Sequence, residues 1–277
     1  MAGLVDLNAM ILDLTTIRAL VLDVDGVLYE GNSALVGAAE LIAHLHAENV
    51  PFVLLSNNTF RSVSQHVEKL AGLGIHVVSE EILTSALITA RVLAREAGRR
   101  ARCYVIGEEG LLEALNEVGL EVLEAESDVV DYVVVGMDRR LTYDKLRIAA
   151  LAIRRGARFI SSNPDPAYPT DEGLIPASGA IQAALEVTTG VKALITGKPG
   201  LEGFRLALDR LGSTPEVTAM VGDQVSVDIL GAQQVGLKGV LILSSVTPRF
   251  DPASSPVQPN AVFESTAAFL EAWMRRK

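Results

Sequence analysis

Residues 19 to 29 read Ala-Leu-Val-Leu-Asp-Val-Asp-Gly-Val-Leu-Tyr, an apolar run that delivers two carboxylates, Asp23 and Asp25, with Gly26 directly behind them. Ala19 to Leu22 is short, branched and apolar enough to be a strand buried on both faces, as in a parallel α/β sheet. Ligand sites in such sheets lie at the carboxyl ends of the strands. The two aspartates therefore stand where chemistry is expected, and Gly26 lets the backbone turn sharply away. An Asp-x-Asp-Gly alone also serves as a plain strand-to-turn junction. Three further strand ends shift the balance towards chemistry. Pro51 to Leu55 leads into Ser56-Asn57-Asn58-Thr59, a set of hydroxyls and amides suited to an anion. Val191 to Thr196 leads into Gly197-Lys198-Pro199, and Thr218 to Val221 into Gly222-Asp223 with Asp228 five residues later. One parallel sheet would gather all four endings along a single edge.

The charges of that set have a consequence. Asp23, Asp223 and Asp228 bring three negative charges against one from Lys198, so the bare site repels a phosphate ester. At about 4 Å and an effective dielectric near 20, a unit pair is worth about 4 kcal/mol, and a carboxylate facing a dianion meets about twice that. The set calls for a divalent cation. Oxygen ligands without nearby histidine or cysteine suit Mg²⁺ and argue against zinc.

Competing motifs fail on position. A phosphate-binding P-loop needs glycine five residues before Gly197 and a hydroxyl after the lysine, where the chain has Lys192 and Pro199. A dinucleotide fingerprint after the first strand needs three glycines at fixed spacing, and only Gly26 and Gly31 are present. A phospho-receiver module shares the aspartate, hydroxyl and lysine set, but it is short and undivided. Here about 140 residues separate Ser56 from Lys198, enough for a whole extra domain.

The four segments Asp23-Val24-Asp25-Gly26, Ser56-Asn57-Asn58, Gly197-Lys198-Pro199 and Gly222-Asp223 with Asp228 resemble, in order, the four motifs of the haloacid dehalogenase superfamily of phosphotransferases. Leu28-Tyr29-Glu30-Gly31, Thr84-Ser85-Ala86, Asn163-Pro164-Asp165-Pro166 and Asp228-Ile229-Leu230-Gly231-Ala232 are similar to its NagD-like, p-nitrophenylphosphatase-like branch. The resemblance spans about residues 18 to 245. It departs at Gly200-Leu201, where the branch usually has Ser-Pro, and at Val227, where threonine is usual. Neither departure touches a charged group.

The resemblance implies a parallel-sheet, Rossmann-like core carrying an inserted α/β cap, and roles for the matching residues. Asp23 would be the nucleophile, forming an aspartyl-phosphate intermediate. Asp25 would be the general acid and then the base. Ser56, with backbone N–H groups near Val24 and Asn57, would hold the phosphoryl oxygens, and Lys198 would neutralise charge. Mg²⁺ would take Asp23, Asp223 and the backbone carbonyl of Asp25 as ligands, with Asp228 supporting from outside that shell. The implied protein is a Mg²⁺-dependent phosphomonoester hydrolase of a small phosphorylated metabolite. A non-catalytic phosphometabolite binder and a phosphomutase remain alternatives, although a pure binder has no need of the second aspartate.

The expected organisation is a core over residues 1–84 and 193–277 with a cap over 85–192. Within the cap, Ala86 to Ala97, Gly110 to Val118 and Tyr143 to Arg155 carry helical spacing, while Arg102 to Ile106, Tyr132 to Val135 and Arg158 to Ile160 are strand-like. Loop Asn163 to Pro169 is the candidate substrate reader, with Asn163, Asp165 and Tyr168 the side chains to watch. The same residues are ordinary turn formers. Nothing in Ala167-Tyr168 selects among nucleotides, sugar phosphates, phosphoglycolate or pyridoxal phosphate.

The rest of the chain sets bounds. With 277 residues, 49% of them hydrophobic and 21% charged, it has ample core for one large or two ordinary domains. A net charge of -10 argues against nucleic acid or an anionic membrane as partner. No apolar run is long enough to span a bilayer, and Asp6 and Asp13 stand where a signal peptide is basic, so a cytoplasmic location is expected. Cys103 in an apolar strand reads as a buried thiol, and one cysteine excludes an intrachain disulfide. His44, His46, His66 and His76 lie outside the motifs. Arg95, Arg99, Arg100 and Arg102 read as a solvated helix end, and Phe269 with Trp273 as core cover on a last amphipathic helix. The oligomer suggested by the branch is a homodimer through the cap.

Overall fold

The computed structural model describes residues 12–97, 100–123, 126–127, 129–170 and 172–276, so Asp6 and Arg99 lie outside the described residues. In chain order the elements are β1 (Ala19–Leu22), β2 (Tyr29–Glu30), β3 (Ser33–Ala34), α1 (Ala38–Ala47), β4 (Phe52–Ser56), α2 (Val63–Gly72), β5 (Ile82–Thr84), α3 (Ser85–Ala97), β6 (Arg102–Ile106), α4 (Glu109–Glu117), β7 (Glu121–Leu123), β8 (Tyr132–Val135), α5 (Tyr143–Arg154), β9 (Arg158–Ser161), β10 (Ala167–Thr170), β11 (Gly173–Pro176), α6 (Ser178–Thr189), β12 (Leu194–Ile195), α7 (Leu201–Leu211), β13 (Thr218–Gly222), α8 (Leu230–Gln234), β14 (Lys238–Ile242), β15 (Ala261–Phe263) and α9 (Thr266–Arg275). The chain forms two compact units. One comprises Met1–Ser56, Val67–Ile82 and Phe204–Lys277, the other Asn57–His66 and Leu83–Gly203. The second unit contains residues 85–192 and, besides them, 57–66, 83–84 and 193–203.

The first unit is built on a six-stranded sheet ordered β15-β14-β13-β1-β4-β5. Every residue of β1 is buried, as the unbroken apolar run requires of a strand covered on both faces. Its parallel register pairs Leu22 with Leu54 of β4 and with Val221 of β13, so the three strands end within two residues of one another. Parallel neighbours cannot be joined by tight turns, and α1 supplies the crossover from β1 to β4. Helix α9 closes the unit, with Phe269 and Trp273 both fully buried and the Ser265 side chain capping its first turn by accepting from the Ala268 N–H at 3.2 Å.

The second unit has its own five-stranded parallel sheet, β12-β9-β8-β6-β7. Alternation splits its strands between two cores. Cys103, Val134 and Ile160 pack with Ala90 and Leu93 of α3 and Leu111 and Leu115 of α4. Tyr104, Val133, Val135 and Phe159 face the other way, onto Ile153 of α5 and Ile181 and Leu185 of α6. Burial pushes the Cys103 thiol up to about 12, so it stays protonated and inert.

One expectation is corrected here. The strand before Lys198 does not join the sheet that carries Asp23: β12 pairs with β9, Ile195 opposite Ser161. The apolar run Val191 to Thr196 satisfies its backbone on either sheet equally well, and the partner that captures it is the neighbouring β9. Residues 163–169 are also less loop-like than expected, because β10 and β11 form an antiparallel hairpin with Tyr168 opposite Ile175. Among the described residues no helix is long and apolar enough to cross a membrane.

Candidate active site

In the first unit, Asp23 follows β1 and Asp223 follows β13, and the ladder between these strands continues to the Asp23 N–H, which donates to Val221 O at 2.8 Å. One oxygen each of Asp23, Asp223 and Asp228 lies within 4.8 Å of the others. All three residues are buried, with 5%, 1% and 0% exposure. The backbone makes this crowding feasible. Gly26 takes φ +84°, a left-handed conformation, and a Cβ there would sit 2.2 Å from Asp223 Oδ2. A Cβ on Gly222 would lie 2.4 Å from that of Asp228. Asp228 is aimed by a single π-helical turn, Val225–Ile229, a distortion that clusters at functional sites. Its Oδ2 accepts the Gln224 N–H at 3.0 Å, and Asp223 Oδ2 accepts the Ser244 hydroxyl at 2.7 Å.

The donor set fits a hard divalent cation. Three buried carboxylates, with no histidine or cysteine among them, offer only oxygen. A bound cation would offset the negative charge that such a set concentrates.

Asp25 is partly exposed, two residues beyond Asp23, and its backbone bridges to Tyr29 at the start of the β2–β3 hairpin. Val24 is buried, and its carbonyl accepts the Leu28 N–H at 2.9 Å. Ser56, the last residue of β4, is buried one turn of the pleat past the Leu22–Leu54 pair. Ser244 was not anticipated from the sequence. The signal was present: β14 is a further apolar run followed by hydroxyls, Ser244 and Ser245.

In the second unit, Asn57 is a node. Its Nδ2 donates to Lys198 O at 3.0 Å and to Asp165 Oδ2 at 3.1 Å, while its Oδ1 accepts the Lys198 N–H at 2.9 Å. Asn57 O in turn accepts from Asn163 Nδ2 at 2.7 Å and from Ser85 Oγ at 2.8 Å. The Asp165 N–H donates to Asn163 Oδ1 at 3.1 Å. Lys198 itself is only 2% exposed. The side chains of Asn163 and Asp165 thus hold the frame around Asn57 and the lysine loop. Tyr168 takes a different place, edge-on to Phe60 with ring centroids 5.2 Å apart.

Carboxylates at adjacent strand ends of a Rossmann-like sheet, followed in sequence by a second α/β unit that carries a lysine loop, define a hydrolase of the haloacid dehalogenase class. Residues 20–121 match the family described as haloacid dehalogenase-like hydrolase, and residues 195–269 match a HAD-hydrolase-like family. The acid sugar phosphatase of Staphylococcus epidermidis is 37% identical over 247 residues, covering 89% of this chain and 94% of that one. The 5'-nucleotidase YutF of Bacillus subtilis is 35% identical over 255 residues, covering 92% and 98%. The solved structure of NagD from E. coli K-12 aligns with a TM-score of 0.82 at 33% identity, covering 91% of this chain and 97% of that one. The chain belongs to the haloacid dehalogenase-like hydrolase family, and within it to the NagD-like phosphatases.

Proposed function

We propose that the chain is a Mg²⁺-dependent phosphomonoester hydrolase that works on a small phosphorylated metabolite through an aspartyl-phosphate on Asp23. The observation that carries this reading is the buried trio Asp23, Asp223 and Asp228, with oxygens within 4.8 Å of one another at the carboxyl edge of a parallel sheet. Asp23, Asp223 and the backbone carbonyl of Asp25 would hold the ion, and Asp228 would orient the set. When bound, Mg²⁺ supplies the positive charge that lets an anionic ester approach three carboxylates.

The steps belong to the protein's own groups. A carboxylate oxygen of Asp23 attacks phosphorus in line, and the bond from phosphorus to the leaving oxygen breaks. Asp25, partly exposed and therefore in contact with water, donates its proton to that oxygen. Asp25 then takes a proton from water, whose oxygen attacks phosphorus and releases phosphate from Asp23. The resemblance gives Ser56, Asn57 and the backbone near Val24 the task of holding the phosphoryl oxygens. It gives Lys198 the balancing charge. Asn163 and Asp165 act by positioning, through Asn57, which leaves Tyr168 as the side chain of that loop offered to a leaving group.

The relatives named acid sugar phosphatase and 5'-nucleotidase make sugar phosphates and nucleoside monophosphates the first substrates to try. The test is phosphate release, as kcat/KM, over a panel of both, with phosphoglycolate and pyridoxal phosphate added, in Mg²⁺ and in EDTA. Release that EDTA abolishes supports the reading, and no release from any ester overturns it. We also take the location to be cytoplasmic and the oligomer to be a dimer through the second unit, where Val187, Val191 and Leu194 are exposed.

A further inference from the structure

Asp223 and Ser244 leave the sheet of the first unit on neighbouring strands. β13 and β14 run parallel with Gly222 opposite Leu241, so Asp223 comes one residue after that pair and Ser244 three. There the Ser244 hydroxyl meets Asp223 Oδ2 at 2.7 Å. Which group donates follows from the valences of the hydroxyl. Serine offers one proton and two lone pairs. Two backbone N–H groups, which can only donate, already point at Ser244 Oγ: that of Val246 at 3.1 Å and that of Thr247 at 3.2 Å. They occupy both lone pairs, and the single proton is left for the buried carboxylate.

The backbone that carries this hydroxyl is itself held. The Leu243 N–H donates to Phe263 O at 2.9 Å and the Ser244 N–H to Thr247 O at 3.1 Å, which closes residues 244–247 into a turn at the end of β14. From its other side Ser245 Oγ donates to Glu30 Oε1 of β2. Asp223 is hemmed in as well, since a Cβ on Gly26 would sit 2.2 Å from the same Oδ2. The two accepted N–H groups are all that the turn needs of the Ser244 side chain. The third bond acts on Asp223: it fixes the rotation of the carboxylate and leaves the remaining lone pairs to another ligand. Groups that hold metal-binding carboxylates in this way typically change metal affinity by about 10- to 100-fold when removed.

We propose that Ser244 is a positioning residue for cation binding, its hydroxyl holding Asp223 by Oδ2 in the orientation that Mg²⁺ takes as ligand. The proposal rests on the Mg²⁺ reading above. The probe is Mg²⁺ alone, titrated calorimetrically into the full chain without ester, with the Tm of each metal-free variant measured alongside. Ser244→Ala should weaken Mg²⁺ binding by about 10- to 100-fold, and Ser244→Thr, which keeps a hydroxyl, should recover most of the affinity. Ser245→Ala releases the turn from Glu30 but spares Ser244 Oγ, and as a surface change it should move Kd by less than about threefold. Activity supplies a second readout. In Ser244→Ala, kcat/KM should fall at limiting Mg²⁺ and return to within about threefold of wild type once Mg²⁺ is saturating. An unchanged Kd in Ser244→Ala, whatever its Tm, makes the residue a turn former only and overturns the proposal. An equal loss of affinity in Ser245→Ala overturns it too, because the turn and not the hydroxyl would then be responsible. Either result leaves the phosphatase reading standing. A wild-type chain that binds no Mg²⁺ sinks both, whereas Mg²⁺ binding that depends on Ser244 with no hydrolysis of any ester sinks the phosphatase reading alone.

Discussion

The two units end their strands in opposite ways. In the first, β1 and β13 each deliver a carboxylate to a buried cluster, while the second places amides, hydroxyls and one lysine where β9 and β12 end. The difference lies in what each arrangement leaves undone. Asn57, Asn163, Asp165 and the Lys198 backbone satisfy one another, so their network holds a shape without outside help. Three buried carboxylates within 4.8 Å concentrate negative charge, which a bound cation would offset. Glycine marks the first region for the same reason. Gly26 and Gly222 bring backbone against carboxylates more closely than any side chain would permit.

The largest effects should come from breaking the carboxylate cluster. Asp23→Asn removes the proposed nucleophile and should lower kcat by more than about a thousandfold, with the circular dichroism spectrum unchanged. Appreciable turnover in that variant would refute the assignment. The cluster also makes a thermodynamic prediction that does not depend on turnover. Mg²⁺ at about a hundred times its Kd should stabilise the wild type by about 2.7 kcal/mol, a rise of several degrees in Tm. Asp223→Asn should raise the Tm of the metal-free chain by relieving repulsion, and should lose the response to Mg²⁺. Gly26→Ala probes the same region through sterics. It forces a Cβ into the left-handed region and onto Asp223 Oδ2, which should cost about 1–3 kcal/mol in urea unfolding and blunt the metal response.

The self-satisfied network should break differently. Asn57→Ala removes the donor to Lys198 O and the acceptor of its N–H together, and leaves Asp165 without that partner. A misplaced lysine loop should lower kcat/KM by about 10- to 100-fold while the Mg²⁺-linked rise in Tm persists. Loss of that thermal response in Asn57→Ala would show that the two regions are not independent. Such a result would undo the contrast on which the prediction rests.

How much of this could be read beforehand follows from the same physics. β1, β6 and β8 have the bounds their apolar runs predict, and α3, α4 and α5 start or stop within a residue of the helical spacing. Those signals are local. The placement of β12 was hidden because a two-residue strand carries no mark of the sheet that will pair with it. Hairpin β10–β11 was hidden by Pro169, which demotes a strand in any propensity reading. At the site, charged motif residues were visible because charge in an apolar context is rare. The bracing done by Asn163 and Asp165 was not, since their turn chemistry is identical whether they face a ligand or the amide of Asn57.

Glu108 offers the smallest effect and sharpens the comparison from the other side, since it is a buried carboxylate whose charge the protein matches by itself. The hydrogen bonds from the Arg139 side chain hold its carboxyl below the usual value of 4.5, against the opposing pull of burial. A depressed folded value means that the stabilisation is fully present above about 4.5 and is lost as pH falls through the folded value. Arg139 is more than half exposed, so the pair should be worth no more than about 1 kcal/mol. Glu108→Gln should therefore lower Tm slightly at pH 7, and the gap to wild type should close as the pH drops below 4.5. The Mg²⁺ response should be untouched, because Glu108 needs no added cation. A gap that stays constant down to pH 3 would mean that the Glu108 side chain stabilises through packing and not through its charge.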